Sequence, residues 1–141
     1  MRTVDSPLYQ DVLETHHLTI GDFYFFKNLI VAEVKEGVHL DTSNTKTLIK
    51  ITKSFFKNRP FGHVTNRINQ YSVSPLDLVH YSNQLENAVS FSSIVYNNHF
   101  DEMNVKIEQH FLKKPFYIAN NLADAANWAK EKAQNMFTIS A

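Results

Sequence analysis

Arg67, with Asn66, Asn69, Gln70, Tyr71 and Ser72, makes a polar run between apolar stretches, and its chemistry would be anion capture. A guanidinium flanked by amides and hydroxyls can hold a phosphate or carboxylate through charge-assisted hydrogen bonds. The competing account is a solvated loop whose amides satisfy its own backbone. Ser74-Pro75 follows at once. There a hydroxyl at the N-cap, proline at the first helical position and Asp77 at the third describe a helix start that folding alone explains. A phosphate on Ser72 or Ser74, the two candidate phosphosites, would sit at the positive end of that helix, within reach of Arg67.

Other chemistries lack their parts. The chain has seven histidines, but His16 and His17 are adjacent and would point to opposite sides of a strand, and no His-Glu-x-x-His pair occurs. His39 with Asp41, and Glu108 with His110, are too loosely spaced to specify a metal site. Gly21, Gly37 and Gly62 are the only glycines, so neither a Walker loop nor a dinucleotide fingerprint can be built. No Gly-x-Ser-x-Gly elbow appears, and no serine has histidine and acid in an order that specifies a triad. Asp101-Glu102 suits the dipole of a helix start better than acid/base work. With no cysteine, disulfides and thiolate catalysis are excluded. The expectation is no enzyme activity, no cofactor and no metal.

The elements that must position this run follow from periodicity. At 141 residues the chain is expected to form one domain, 1–141, with the first ~15 residues a loosely packed extension. Equal numbers of acidic and basic residues, 14 each, give no field to attract nucleic acid. No stretch approaches the ~20 apolar residues of a membrane span, and a cytoplasmic location is expected. Strands are predicted near 18–26, 29–35, 61–65, 88–96 and 115–119, and helices near 42–57, 75–85, 99–112 and 121–134.

This order, ββαβαβαβα, describes an α/β fold: a mixed sheet of about five strands flanked by about four helices. Ile30, Ala32 and Val34 share one strand face. Asp41, Thr42 or Ser43 can cap the first helix, and Asn120 or Asn121 the last. Leu48, Phe55, Val64, Val79, Val95, Ile107 and Ala125 are expected in the core, with Leu76 on the buried face of its helix. Phe100, Met103, Ile107 and Phe111 fall at helical spacing on one apolar face, read as inward.

Three segments, DFYFFKNLIVAEVKEGVHLD, VTNRINQYSVSPLDL and LADAANWAK, together resemble a family of small bacterial proteins classed as STAS-like or SpoIIAA-like, over roughly residues 17 to 133. The resemblance implies a mixed sheet flanked by helices and no activity of its own. Better-known members, the anti-anti-sigma factors, are protein-binding switches phosphorylated on a serine in an Asp-Ser-Ser/Thr-Gly motif at a helix start. The matching junction here, QYSVSPLD, has neither that aspartate nor that glycine, leaving Ser72 and Ser74 as candidates by position. The resemblance implies a regulatory, protein-interaction module with a protein partner, a homodimer being left open. The alternative is a small apolar-ligand, lipid-like carrier of Sec14-like layout, an analogy from fold.

Overall fold

The computed structural model describes residues 1–96 and 98–140, with side chains described as far as Met136. Alternation along the strands decides the architecture. In β3 (Leu29–Val34) all six residues are buried, Ile30 and Ala32 in one hydrophobic cluster and Leu29 and Val31 in another. A strand buried on both faces must be covered on both. Helices α1 (Lys46–Phe56) and α2 (Pro75–Gln84) contribute Leu48, Ile49, Phe56, Tyr81 and Leu85 to the first cluster. Helix α4 (Leu122–Ser140) covers the other face with Leu122, Ala125, Ala126 and Ala129. Its alanines allow close approach: a Cβ added at Gly62 would run into the Ala129 methyl at 2.5 Å.

The main sheet has six strands in the order β1-β2-β3-β5-β7-β8. β1 (Glu14–Leu18), β2 (Gly21–Phe25) and β3 form an antiparallel meander. β5 (Phe61–Asn66), β7 (Ala88–Ile94) and β8 (Phe116–Ala119) then add in parallel. Parallel neighbours need crossovers, and α1, α2 and α3 (His99–Phe111) supply them. Two short strands, β4 (His39–Leu40) and β6 (Ser72–Val73), pair in parallel as a separate ribbon. The α/β class and the four helices are as the sequence describes.

Several details differ. The strand predicted over 18–26 begins only at Gly21, and a strand not predicted, β1, precedes it across a turn at Thr19-Ile20, where no Asn, Asp or Pro marks the turn. Gly21 follows because a side chain there would collide with the Glu33 carbonyl. Helix α1 starts later than predicted. Asp41 does not cap it but closes a turn one step earlier, its Oδ1 accepting from the Ser43 and Asn44 N–H groups at 2.8 Å each. At the last helix, the Asn121 carboxamide accepts from Asp124 N–H as the sequence suggests.

The N-terminal segment is not a loose extension. Thr3 is fully buried, with Val4, Leu8 and Val12 packed on the α4-side cluster. Thr3 N–H and hydroxyl both donate to Glu33 Oε2, at 2.7 and 2.5 Å. A buried carboxylate needs such donors, and the chain's first residues provide them.

Of the expected core, Leu48, Val64, Val95 and Ala125 are buried, while Phe55 and Val79 are half-buried. Phe56 takes the central place, its ring stacked on Phe61 at 3.9 Å. Ile107 is exposed, and so are Phe100, Met103 and Phe111. The inward residues of α3 are instead Asp101, Val105, Glu108 and, just past its end, Leu112: one position on from Phe100, Ile107 and Phe111, and two on from Met103. One position is about 100° of rotation. What turns the helix is a buried cation, described next. Leu76 is also exposed, since Tyr81 and Leu85, with Leu78, form the inward face of α2.

Candidate functional site

The sheet delivers residues 66 to 72 in two directions. Asn66, the last residue of β5, is fully buried. Its Nδ2 donates to Met1 O and Glu33 Oε2 at 2.8 and 3.0 Å, and its Oδ1 accepts from the Tyr96 hydroxyl at 2.6 Å. Arg67 goes the other way. Its side chain is 1% exposed, with Nη1 donating to Glu108 Oε2 and to the Tyr71 hydroxyl, both at 3.0 Å. Nε lies 3.5 Å from Asp101 Oδ1, and the guanidinium sits 4.3 Å from the centre of the Tyr71 ring.

This arrangement corrects the expectation of an exposed arginine. Two carboxylates from α3 already neutralise the charge that an incoming anion would meet. Burial works to lower the guanidinium pKa, but Tyr71, Glu108 and Asp101 outweigh it and hold it above its ordinary value. Burial also pushes the Glu108 carboxyl up, opposed by Arg67. Burial raises the Tyr71 hydroxyl well above its usual range. The cluster is a structural clasp between the end of β5 and α3.

The other residues of the run are not gathered into one site. Asn69, half-buried, donates to the Val34 carbonyl at 3.0 Å. Gln70 is exposed and uses its backbone, its N–H donating to Glu36 and its carbonyl accepting from Gly37 N–H. Ser72 is exposed on β6, its hydroxyl 2.8 Å from His39 Nδ1 on β4. Ser74 caps α2 as its sequence context predicts. Its hydroxyl donates to Asp77 Oδ2 at 2.8 Å and accepts from Asp77 N–H at 3.3 Å.

A more constructed place lies between the sheet and α1, α2 and α3, where the structure leaves a cavity of about 50 Å³. Its walls are largely apolar, with Phe23, Ala32, Leu48 and Phe91 among them. Several polar side chains reach these walls, among them Ser92, whose buried Oγ has no hydrogen-bond partner, and His63 of β5, buried because it shares its strand face with Phe61 of the α1/α2-side core. Its Nε2 is 2.7 Å from the Tyr81 hydroxyl, and its ring stacks on Phe91 with centroids 5.0 Å apart. Nδ1 has no hydrogen-bond partner on another described residue. Burial, helped by the positive charge of Lys114, pushes the imidazole pKa down to about 3, so it is neutral at ordinary pH. Burial likewise raises the Tyr81 hydroxyl above its usual range.

Sequence reasoning passed over His63 and Tyr81. The period-two spacing of Phe61 and His63 was the available signal for the first. Nothing in the sequence joined it to Tyr81. Among the described residues, no three His, Asp or Glu side chains gather into a set that could hold a metal.

No family model and no curated protein matches the chain. Among solved structures, it is similar to the crystal structure of an uncharacterised protein of the DUF3478 family with a SpoIIAA-like fold, from Shewanella loihica. The two share 11% sequence identity over 82% of this chain and 90% of that one, with a TM-score of 0.48. The mixed sheet flanked by helices that the sequence resemblance implies is the layout observed here.

Proposed function

We propose that this domain is a non-enzymatic regulatory module that docks a protein partner on the outer face of α3. One observation carries the reading: Phe100, Met103, Ile107 and Phe111 stand 72, 51, 46 and 40% exposed along one side of the helix. Single exposed apolar residues are ordinary, but a row at i, i+3, i+7 and i+11 makes a ridge about 16 Å long. Such ridges are how helices present themselves to grooves and to other helices. Leu76, 79% exposed at the head of α2, adds an apolar side chain on the helix packed beside α3. No helix among the described residues is long and apolar enough to cross a membrane.

If phosphorylation regulates docking, Ser72 is the serine open to a kinase. Ser74 has both its proton and a lone pair engaged with Asp77. The lipid-carrier alternative has less to rest on in the cavity beneath α2, whose volume of about 50 Å³ is far below the ~300–1,000 Å³ of ordinary ligand pockets.

The test is a partner retrieved from the native host, identified, purified and titrated against wild type and Met103→Glu/Ile107→Glu. Two charges in the ridge are expected to weaken binding at least tenfold, with the melting temperature within about 2 °C of wild type because both positions are exposed. Undiminished affinity in the double variant would overturn the assignment of the face.

A further inference from the structure

The cavity beneath α2 has the construction of a second, separate site. We infer that it binds the end of a short, uncharged organic molecule carrying one hydrogen-bonding group, held at Nδ1 of His63. His63 is 5% exposed, and Tyr81 and Phe91 fix its ring on two sides. A neutral imidazole has one N–H and one bare nitrogen. With Nε2 engaged by the Tyr81 hydroxyl, Nδ1 is left to offer a single donor or a single acceptor toward whatever enters. A buried polar atom of this kind is rarely left unmatched.

Size and charge narrow the class. The space of about 50 Å³ is a third of the ~150 Å³ that encloses benzene in an engineered cavity, so the buried end is smaller than a ring. Beyond Phe23, Leu48 and Phe91, the lining includes Asp41, Asp77 and Glu108 and contains no lysine or arginine. Glu108 is already paired with Arg67, so it is Asp41 and Asp77 that repel an entering carboxylate or phosphate. A cation fares no better at the inner end, where burial and Lys114 already keep the imidazole itself uncharged. What remains is an apolar stub ending in a hydroxyl, amide or carbonyl.

The experiment uses three probes of equal length, n-butanol, butyrate and n-butylamine, titrated into the full chain while the imidazole nitrogens of His63 are followed by NMR. Butanol is expected to give a saturable shift at millimolar concentration, and the two ions at least tenfold weaker binding. His63→Phe, which keeps the stack on Phe91 but removes Nδ1, is expected to abolish butanol binding, read on the Tyr81 amide. Ala32→Val keeps His63 and fills the wall. It is expected to weaken butanol at least fivefold, and it carries the test if the histidine variant does not fold. Butyrate binding as well as butanol, no saturable butanol shift, or undiminished binding in a folded His63→Phe or Ala32→Val protein would each overturn the inference. The outcome is independent of docking on the outer face of α3, whose exposed row Phe100, Met103, Ile107 and Phe111 does not line the cavity.

Discussion

Arg67→Ala tests the clasp that orients α3. The wild-type guanidinium is removed from water together with Asp101 and Glu108, whose side chains are only 6 and 13% exposed. Taking away the cation leaves two carboxylates close together in a place solvated mainly by the missing group. Breaking a buried pair in this way costs ~3–5 kcal/mol, more than the pair gains over an apolar replacement of the same shape. For a chain of 141 residues that corresponds to a fall in melting temperature of about 10 °C or more.

Thermal and urea unfolding, followed by circular dichroism, give the number directly. A double-mutant cycle supplies the mechanism: once Arg67 is gone, Glu108→Ala should restore part of the lost stability, although alone it destabilises. The triple variant Arg67→Met/Asp101→Ala/Glu108→Leu should recover more. An Arg67→Ala protein that melts within 2 °C of wild type, or additive effects of Arg67→Ala and Glu108→Ala, would refute the clasp and return the arginine to the solvent.

Two further outcomes follow from local geometry. His63 has its folded pKa depressed to about 3 against ~6.5 in the unfolded chain, so the unfolded state binds the extra proton. Its contribution is fully present above pH 6.5 and is lost by about 1.4 kcal/mol per pH unit as pH falls toward 3, or ~2 kcal/mol at pH 5. His63→Gln should flatten that part of the stability curve in urea melts from pH 7 to 4, and an identical curve would show that the imidazole is not buried neutral. Ser74→Ala should lose ~0.5–2 kcal/mol through its cap, while Ser72→Ala, on the exposed ribbon, should lose a few tenths. Equal losses in thermal melts would contradict the division of roles between the two serines.

What could be read from the sequence was what neighbours in the chain decide. The start of α2 is an example: Ser74, Pro75 and Asp77 lie within four positions, and the hydroxyl, the fixed φ and the carboxylate act on the same turn. Strand β3 was legible because burial on two faces demands a run of apolar residues, and β7 because AVSFSSIVY alternates. The hairpin of β1 and β2 was hidden because β1, ETHHL, is a polar edge strand with no apolar alternation to mark it.

The reading of α3 failed for a different reason, and so did the reading of the loop that meets it. Periodicity assigns the apolar side of an amphipathic helix to the core, which holds when the core offers only apolar surface. Here β5 ends by burying a guanidinium, and a cation in that position can be matched only by anions. Asp101 and Glu108 therefore take the inward positions beside Val105 and Leu112, and the helix rotates to bring them there. The row from Phe100 to Phe111 is carried outward by the same rotation. The arginine that looked like an anion site in the sequence is thus the cause of the exposed ridge on which the proposed docking rests. Replacing the three charges by apolar side chains, as in the triple variant, frees α3 from that constraint. That protein is expected to remain folded yet lose affinity for the partner as Phe100, Met103 and Ile107 turn toward the core. Tight binding by a stable triple variant would mean that something other than Arg67 sets the face of α3.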